Sequence, residues 1–158
     1  MSAQQEIRVV DFRPEHHSAF RALNVAWIEK HWQLEDADFE ILDHPIENVL
    51  NKQGHIFIAL SAENVLGTCA LLSMSDGGYE LAKMAVAESA RGRGIGYLLG
   101  MESIARAKIL QANRIFLESN TVLKPAIELY RKLGFKEILG HESPYTRCNI
   151  QMELRLNR

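Results

Sequence analysis

The segment Arg91-Gly92-Arg93-Gly94-Ile95-Gly96 constrains this chain most, because of what stands on either side of it. Tyr79 to Val86 before it is apolar-rich and reads as a strand, and the proline-free stretch from Ile95 to about Gln111 reads as a helix. A strand that feeds a glycine turn and opens a helix is an anion-binding device. The unbonded N–H groups of the first helical turn and the positive end of the helix dipole point to one place. Glycines admit a phosphate close to the backbone, and Arg91 and Arg93 add positive charge.

The spacing excludes two common phosphate loops. A dinucleotide fingerprint starting at Gly92 or Gly94 would need glycine where Tyr97 or Leu99 stands. The P-loop would need Gly-Lys-Ser/Thr, which the segment lacks. The remaining pattern is Arg-x-x-Gly-x-Gly on Arg91, Gly94 and Gly96. Further on, Asn120 is followed by Lys124 to Phe135, with Ala126, Leu129, Tyr130, Gly134 and Phe135 spaced as Ala-x-x-Leu-Tyr-x-x-x-Gly-Phe.

These two motifs, in this order, resemble the GNAT acetyltransferases, and the resemblance covers roughly residues 7 to 156. It implies a mixed, mostly antiparallel α/β sheet of six to seven strands, splayed at its centre and flanked by about four helices. It implies N-acetyl transfer from acetyl-CoA to a primary amine, with no metal. By the same resemblance the loop from Arg91 through Gly92, Arg93, Gly94 and Ile95 to Gly96 holds the cofactor pyrophosphate. Met84, Ala85 and Val86 lie at the strand end whose backbone bonds the pantetheine arm, and Asn120 at a position that reaches the cofactor or bridges the splayed strands. For Asn120, helix capping is the plain alternative.

Two residues carry the expected chemistry. A lysine-like amine has a pKa of ~10.4, so only about one molecule in a thousand is nucleophilic at neutral pH. Glu80, on the strand leading to the glycine turn, matches the position where several family members keep a catalytic glutamate that commonly works through an ordered water. The alternatives are a different base or a water chain, with Glu80 a solvated residue at the strand start. Tyr130 matches the family's acid toward the departing thiolate, with a satisfied core tyrosine as its alternative. The competing function is a non-catalytic acyl-CoA-binding or sensing domain.

The rest of the chain reads as one domain over residues 1–158. Hydrophobic residues make up 47% and charged residues 24%, and the net charge of −2 speaks against nucleic acid or an anionic membrane as partner. Polar Met1 to Gln5 has no signal-peptide core, no apolar run approaches a membrane span, and Cys69 and Cys148 read as buried strand thiols, so a cytoplasmic location is expected. None of the histidines, His16, His17, His31, His44, His55 and His141, has metal-ligand spacing.

Strands are expected at Ile7 to Phe12, Ile56 to Leu60, Val65 to Leu72, Arg114 to Glu118 and Cys148 to Leu156, with a hairpin turn at Ser75 to Gly78. A helix from Pro14 to about Trp32 would bury Phe20, Leu23 and Trp27, and Asp36 to Leu50 reads as two short helices or a helix and a loop. On the helix after the glycine turn, Ile95, Leu98, Leu99, Ala105 and Ile109 form an apolar arc. Glu102 and Arg106 interrupt it as an intrahelical pair or, with Gly100, as a protein contact. Glu35 and Asp38 lie where this fold builds its acceptor wall and would favour a cationic amine, unless they form a solvated acidic turn. The run from Ser143 to Asn149 resembles a subgroup that includes acetyltransferases fused to MarR-type DNA-binding domains. The resemblance leads us to expect a small-molecule or peptide amine as acceptor without identifying it, and a homodimer stays open.

Overall fold

The structure is a computed structural model that describes residues 6–140 and 142–156; the readings made on Met1 to Gln5 and on His141 lie outside the described residues. Seven strands, β1 (Ile7–Asp11), β2 (His55–Ser61), β3 (Asn64–Ser73), β4 (Tyr79–Val86), β5 (Arg114–Ser119), β6 (Lys136–Ile138) and β7 (Ile150–Arg155), form one sheet in the order β1-β2-β3-β4-β5-β7-β6. Every neighbouring pair is antiparallel except β4 and β5. Among the described residues five α-helices accompany it: α1 (His17–Glu29), α2 (Asp36–Asp43), α3 (Pro45–Asn48), α4 (Ile95–Ile109) and α5 (Lys124–Leu133). The expected mixed sheet is present, with one helix more than the four expected. Pro45 stands at the first position of α3 and breaks the acidic stretch into two helices.

The sheet is covered on both faces, and β2 shows why. Ile56, Ile58 and Leu60 pack with Phe20, Leu42 and Val49, while Phe57 and Ala59 pack with Ile95, Leu99 and Ala107 of α4. The two-residue period of a strand sends alternate side chains into two cores, so the run Ile56 to Leu60 is buried throughout.

Two helices bury only part of the face expected of them: Phe20 in α1 and Ile95 and Leu99 in α4 lie inward, but their neighbours differ. In α1 the buried residues are Phe20, Asn24 and Ile28, while Trp27 is half-buried. Asn24 tolerates burial because its amide donates to the Phe20 carbonyl and to the Thr68 hydroxyl. In α4 the inward face is Ile95, Leu99, Gly100, Ser103, Ile104 and Ala107, whereas Leu98, Ala105 and Ile109 are exposed. Ser103 satisfies its hydroxyl on the Leu99 carbonyl, and the side chain of Leu133 occupies the space a Cβ on Gly100 would take. Arg106 does not pair with Glu102. It reaches across to Asp11 (2.9 Å) and His55 (3.2 Å), with its guanidinium over the Phe57 ring. Gly100 and Arg106 thus have roles within the chain.

Further departures from the sequence reading lie near the C-terminus. β6 has only three mostly exposed residues and no hydrophobic alternation to announce it. Cys69 is buried as expected, but Cys148 precedes β7 and is half-exposed. Gly134 takes the left-handed conformation (φ 106°) after α5, as its place before Phe135 suggests.

The central feature is a gap. β4 and β5 pair only through Tyr79–Ile115, Glu80–Phe116 and Leu81–Leu117. Just beyond, β4 carries a bulge: Thr68 faces Ala85 and Ala70 faces Ala82, so Lys83 and Met84 together oppose Cys69. Lys83 is left-handed there (φ 52°), and the bend turns β4 away from β5.

Candidate functional site

The glycine loop is built for backbone approach. Gly92 (φ 79°) and Gly94 (φ 75°) both occupy the left-handed region, and a Cβ on either would meet no atom within 4 Å. Open space faces the loop, and no side chain caps the N-terminus of α4. The amides of the first helical turn are therefore available to an anion. Gly96 has a different reason: a Cβ there would come within 3.0 Å of Leu129 on α5, so it brings the two helices together.

A cavity of about 410 Å³ runs from this loop along the end of β4 to α5. Met84, Ala85, Val86, Arg91, Gly92, Gly94, Ile95, Gly96 and Tyr130 all line it. Arg93 is exposed and outside that lining. Two cations stand on aromatic rings at its edge, Arg91 over Trp27 (5.3 Å to the centroid) and Lys132 over Tyr97 (4.7 Å).

A second cavity, about 110 Å³, occupies the splay between β4 and β5. Glu80, Lys83, Glu118, Asn120, Tyr145, Arg147 and Cys148 line it, with Trp32 on one wall. Trp27, Met84 and Tyr130 line both cavities and mark where they meet. Trp27 is thus a junction residue, not the core residue its spacing suggested.

Glu80 faces the smaller cavity, and its carboxylate accepts no hydrogen bond from the described residues. Burial first, then the neighbouring charge of Glu118, raises its pKa from 4.5 to about 7, against the opposing pull of Lys83. Glu118 accepts bonds from the Ser143 hydroxyl (2.9 Å) and the Gln151 amide (3.0 Å). Tyr130 is half-buried, its hydroxyl makes no hydrogen bond to the described residues, and burial raises its pKa above the ordinary phenol value.

A buried ionic cluster closes the far side. Asp38 has no exposed surface and accepts from Lys83 Nζ (2.6 Å), from Arg147 Nη1 and Nη2 (2.8 and 2.6 Å) and from the Glu35 N–H (2.9 Å). Burial alone would raise its pKa, but the Arg147 hydrogen bonds and the charge of Lys83 outweigh that and hold it at about 2. Arg147 also reaches Glu35 (3.1 Å), and the cations of Lys83 and Arg147 both lie over the Tyr145 ring. Glu35 and Asp38 are therefore committed to Arg147 and Lys83, which corrects the expectation that they would attract an amine. Asn120 does not cap α5, which begins after Leu123. Its side chain bonds the Arg147 carbonyl and the Val122 N–H, tying the end of β5 to the loop before β7.

Sequence reasoning did not single out Lys83, Glu118, Arg147, Tyr97 or Lys132. Lys83 left a signal, as the lone cation inside the apolar run Leu81 to Val86. The partners of Arg147 lie 109 and 112 positions away, beyond any local pattern. Among the described residues there is no group of three or more His, Cys, Asp or Glu placed to hold a metal ion, and no helix long and apolar enough to cross a membrane.

Comparison with known proteins bears on the fold and the family. The uncharacterized N-acetyltransferase YjgM of Escherichia coli (strain K12) is 32% identical over 111 residues, a match that spans 66% of this chain and 66% of the relative. The uncharacterized N-acetyltransferase YvbK of Bacillus subtilis (strain 168) is 28% identical over 110 residues, covering 69% of this chain and 68% of the relative. A GNAT-family acetyltransferase structure from Staphylococcus aureus Mu50 superposes with a TM-score of 0.87 at 21% identity, over 96% of this chain and all of that one. A Bacillus subtilis acetyltransferase solved in complex with CoA superposes with a TM-score of 0.74 at 20% identity, again over 96% of this chain and all of the other. At these identities the two structures speak for the fold. The family model for the acetyltransferase (GNAT) domain matches residues 52–137, more than half of the chain, from the end of the acidic helices through β6. The chain belongs to the GNAT acetyltransferases.

Proposed function

We propose that this chain transfers the acetyl group of acetyl-CoA to a primary amine, with the larger cavity as donor site and the smaller as acceptor site. The observation that carries the reading is their meeting at Trp27, Met84 and Tyr130, with the unpartnered carboxylate of Glu80 on the acceptor side. The residues present suit a CoA-type ligand: two left-handed glycines facing open space, an uncapped helix N-terminus and an elongated cavity beside an unpaired strand end.

Acetyl-CoA supplies an activated acetyl thioester. The amides at the start of α4, with Arg91, hold its pyrophosphate, and the backbone of Met84 to Val86, unpaired toward β5, bonds the pantetheine arm as an added strand would. Glu80 takes a proton from the acceptor ammonium; a carboxylate titrating near 7 is ionised in a useful fraction and basic enough to do so. Tyr130, which lines both cavities, would present its hydroxyl to the thioester sulfur. Burial makes this phenol a weaker acid than usual, so its role is to donate a hydrogen bond to the departing thiolate, not to surrender its proton early.

The test is a screen of primary amines with acetyl-CoA, read by free thiol release and product mass. CoA binding without thiol release from any amine would favour a non-catalytic acyl-CoA-binding domain instead. Within that assay, Tyr130→Phe should lower kcat by about 10- to 100-fold, the worth of a hydrogen bond to a charged group. Thermal stability should barely change, since the hydroxyl bonds no described residue. A thioester with a better leaving thiol should restore much of the rate; an unchanged kcat would withdraw the assignment.

The loop has its own check. Gly94→Val places a β-branched residue at φ 75° and fills the space in front of the turn. Its affinity for acetyl-CoA, measured by calorimetry on a variant with native circular dichroism, should fall by at least about tenfold.

A further inference from the structure

We infer that the smaller cavity selects an amine carrying a second positive charge a few bonds from the reacting nitrogen, with Glu118 holding the far charge while Glu80 faces the near one. This deepens the acetyl-transfer reading above and rests on it. The argument begins with which charges are already committed. Two carboxylates, Glu80 and Glu118, and two cations, Lys83 and Arg147, line the cavity, and Glu35 and Asp38 stand behind the cations. Asp38 takes a bond from both cations and Glu35 takes one from Arg147. Lys83 and Arg147 are the only cations among the described residues that line the cavity, so no cation is left there for a substrate carboxylate. The uncommitted charges are the two glutamates.

Their placement follows from the strands. Glu80 stands opposite Phe116 in the parallel ladder, and Glu118 follows Phe116 by two residues, so both project on one side of the sheet. Standard strand dimensions put their Cα atoms roughly 8 Å apart, two residues along the strand and one strand across. Glu118 is held from behind by Ser143 and Gln151, one bond to each oxygen, and a carboxylate retains acceptor capacity beyond two bonds. Trp27 and Trp32 supply apolar walls for a short alkyl spacer between two ammonium groups. A neutral far end would leave Glu118 uncompensated, and an anionic far end would meet it with repulsion.

The test uses three amines of one length that differ only at the far end: diaminobutane, n-butylamine and γ-aminobutyrate. Each is compared by kcat/KM with acetyl-CoA and, separately, by calorimetric affinity for the CoA-bound protein. Diaminobutane should exceed butylamine by about tenfold or more in both measurements, the equivalent of ~1.4 kcal/mol, and γ-aminobutyrate should rank last. Glu118→Gln, nearly the same shape without the charge, should bring the diaminobutane-to-butylamine ratio close to one. Equal parent values for diaminobutane and butylamine would overturn the inference, as would a ratio that survives Glu118→Gln. The parent ranking needs no variant, so it still decides for or against the second-charge subsite if Glu118→Gln folds poorly. Tight diaminobutane binding without thiol release would uphold the second-charge subsite and overturn the catalytic reading instead.

Discussion

Replacing Glu80 by glutamine is expected to lower kcat/KM by about 10²–10⁴, the range for loss of a general base, while sparing acetyl-CoA affinity. The pH dependence identifies the cause. With Glu80 titrating at about 7, the parent kcat/KM should rise with pH through that value as the carboxylate ionises, and the variant should lack that limb. The deficit should narrow as pH approaches the acceptor's own pKa, where the free amine no longer needs the base. A pH–rate profile of unchanged shape would remove Glu80 from the reaction.

The same substitution has an opposite effect on stability. The folded state raises the pKa of Glu80 from 4.5 to about 7, so over that interval it binds more protons than the unfolded chain. Stability therefore falls as pH rises from 4.5 through 7. Glutamine carries no such charge and should stabilise the protein at pH 8 by about 3 kcal/mol, a gain that disappears toward pH 4.5. Urea unfolding at the two pH values measures it. A variant that is slower yet more stable is the signature of a charge held in an unfavourable place for use.

Asp38→Ala should be the most destabilising change near the site, by about 3–5 kcal/mol, because it leaves buried Lys83 without its ion pair and strips Arg147 of two hydrogen bonds. Adding Lys83→Met to Asp38→Ala should recover part of the loss, since the orphaned ammonium is then gone. Chemical denaturation of the single and double variants reads both numbers. In the parent, the Asp38 pKa lowered from 3.8 to about 2 contributes stability that is fully present above 3.8 and lost as pH falls through 2. Asp38→Ala should flatten acid unfolding in that window.

The parts legible in the sequence were those specified by short-range rules. The glycine turn, the strand before it and the helix after it can be read from contiguous residues, and so can Gly134 as the end of α5. Glu80 and Tyr130 became candidates through the resemblance that the two motifs carry. Helix faces were harder: Asn24 and Ser103 lie inward because each bonds a carbonyl of its own helix, so polarity misled where a local partner made burial tolerable. Trp27 looked like core by spacing but stands at the mouth of a gap that exists only because β4 bulges and parts from β5. The cluster of Asp38, Lys83 and Arg147 draws on α2, β4 and the loop before β7, and no sequence window contains all three.

That separation divides the site by inheritance. Most of the larger cavity comes from two compact stretches, residues 84–97 and 125–132, whereas the smaller one is closed by contacts between residues 109 and 112 positions apart. Mutations in α2 or in the loop before β7 can remodel the smaller cavity without touching the glycine turn. Under the proposed function, a lineage can keep its acetyl donor while the acceptor changes through substitutions far from the glycine turn, so two descendants with the same loop can come to act on different amines.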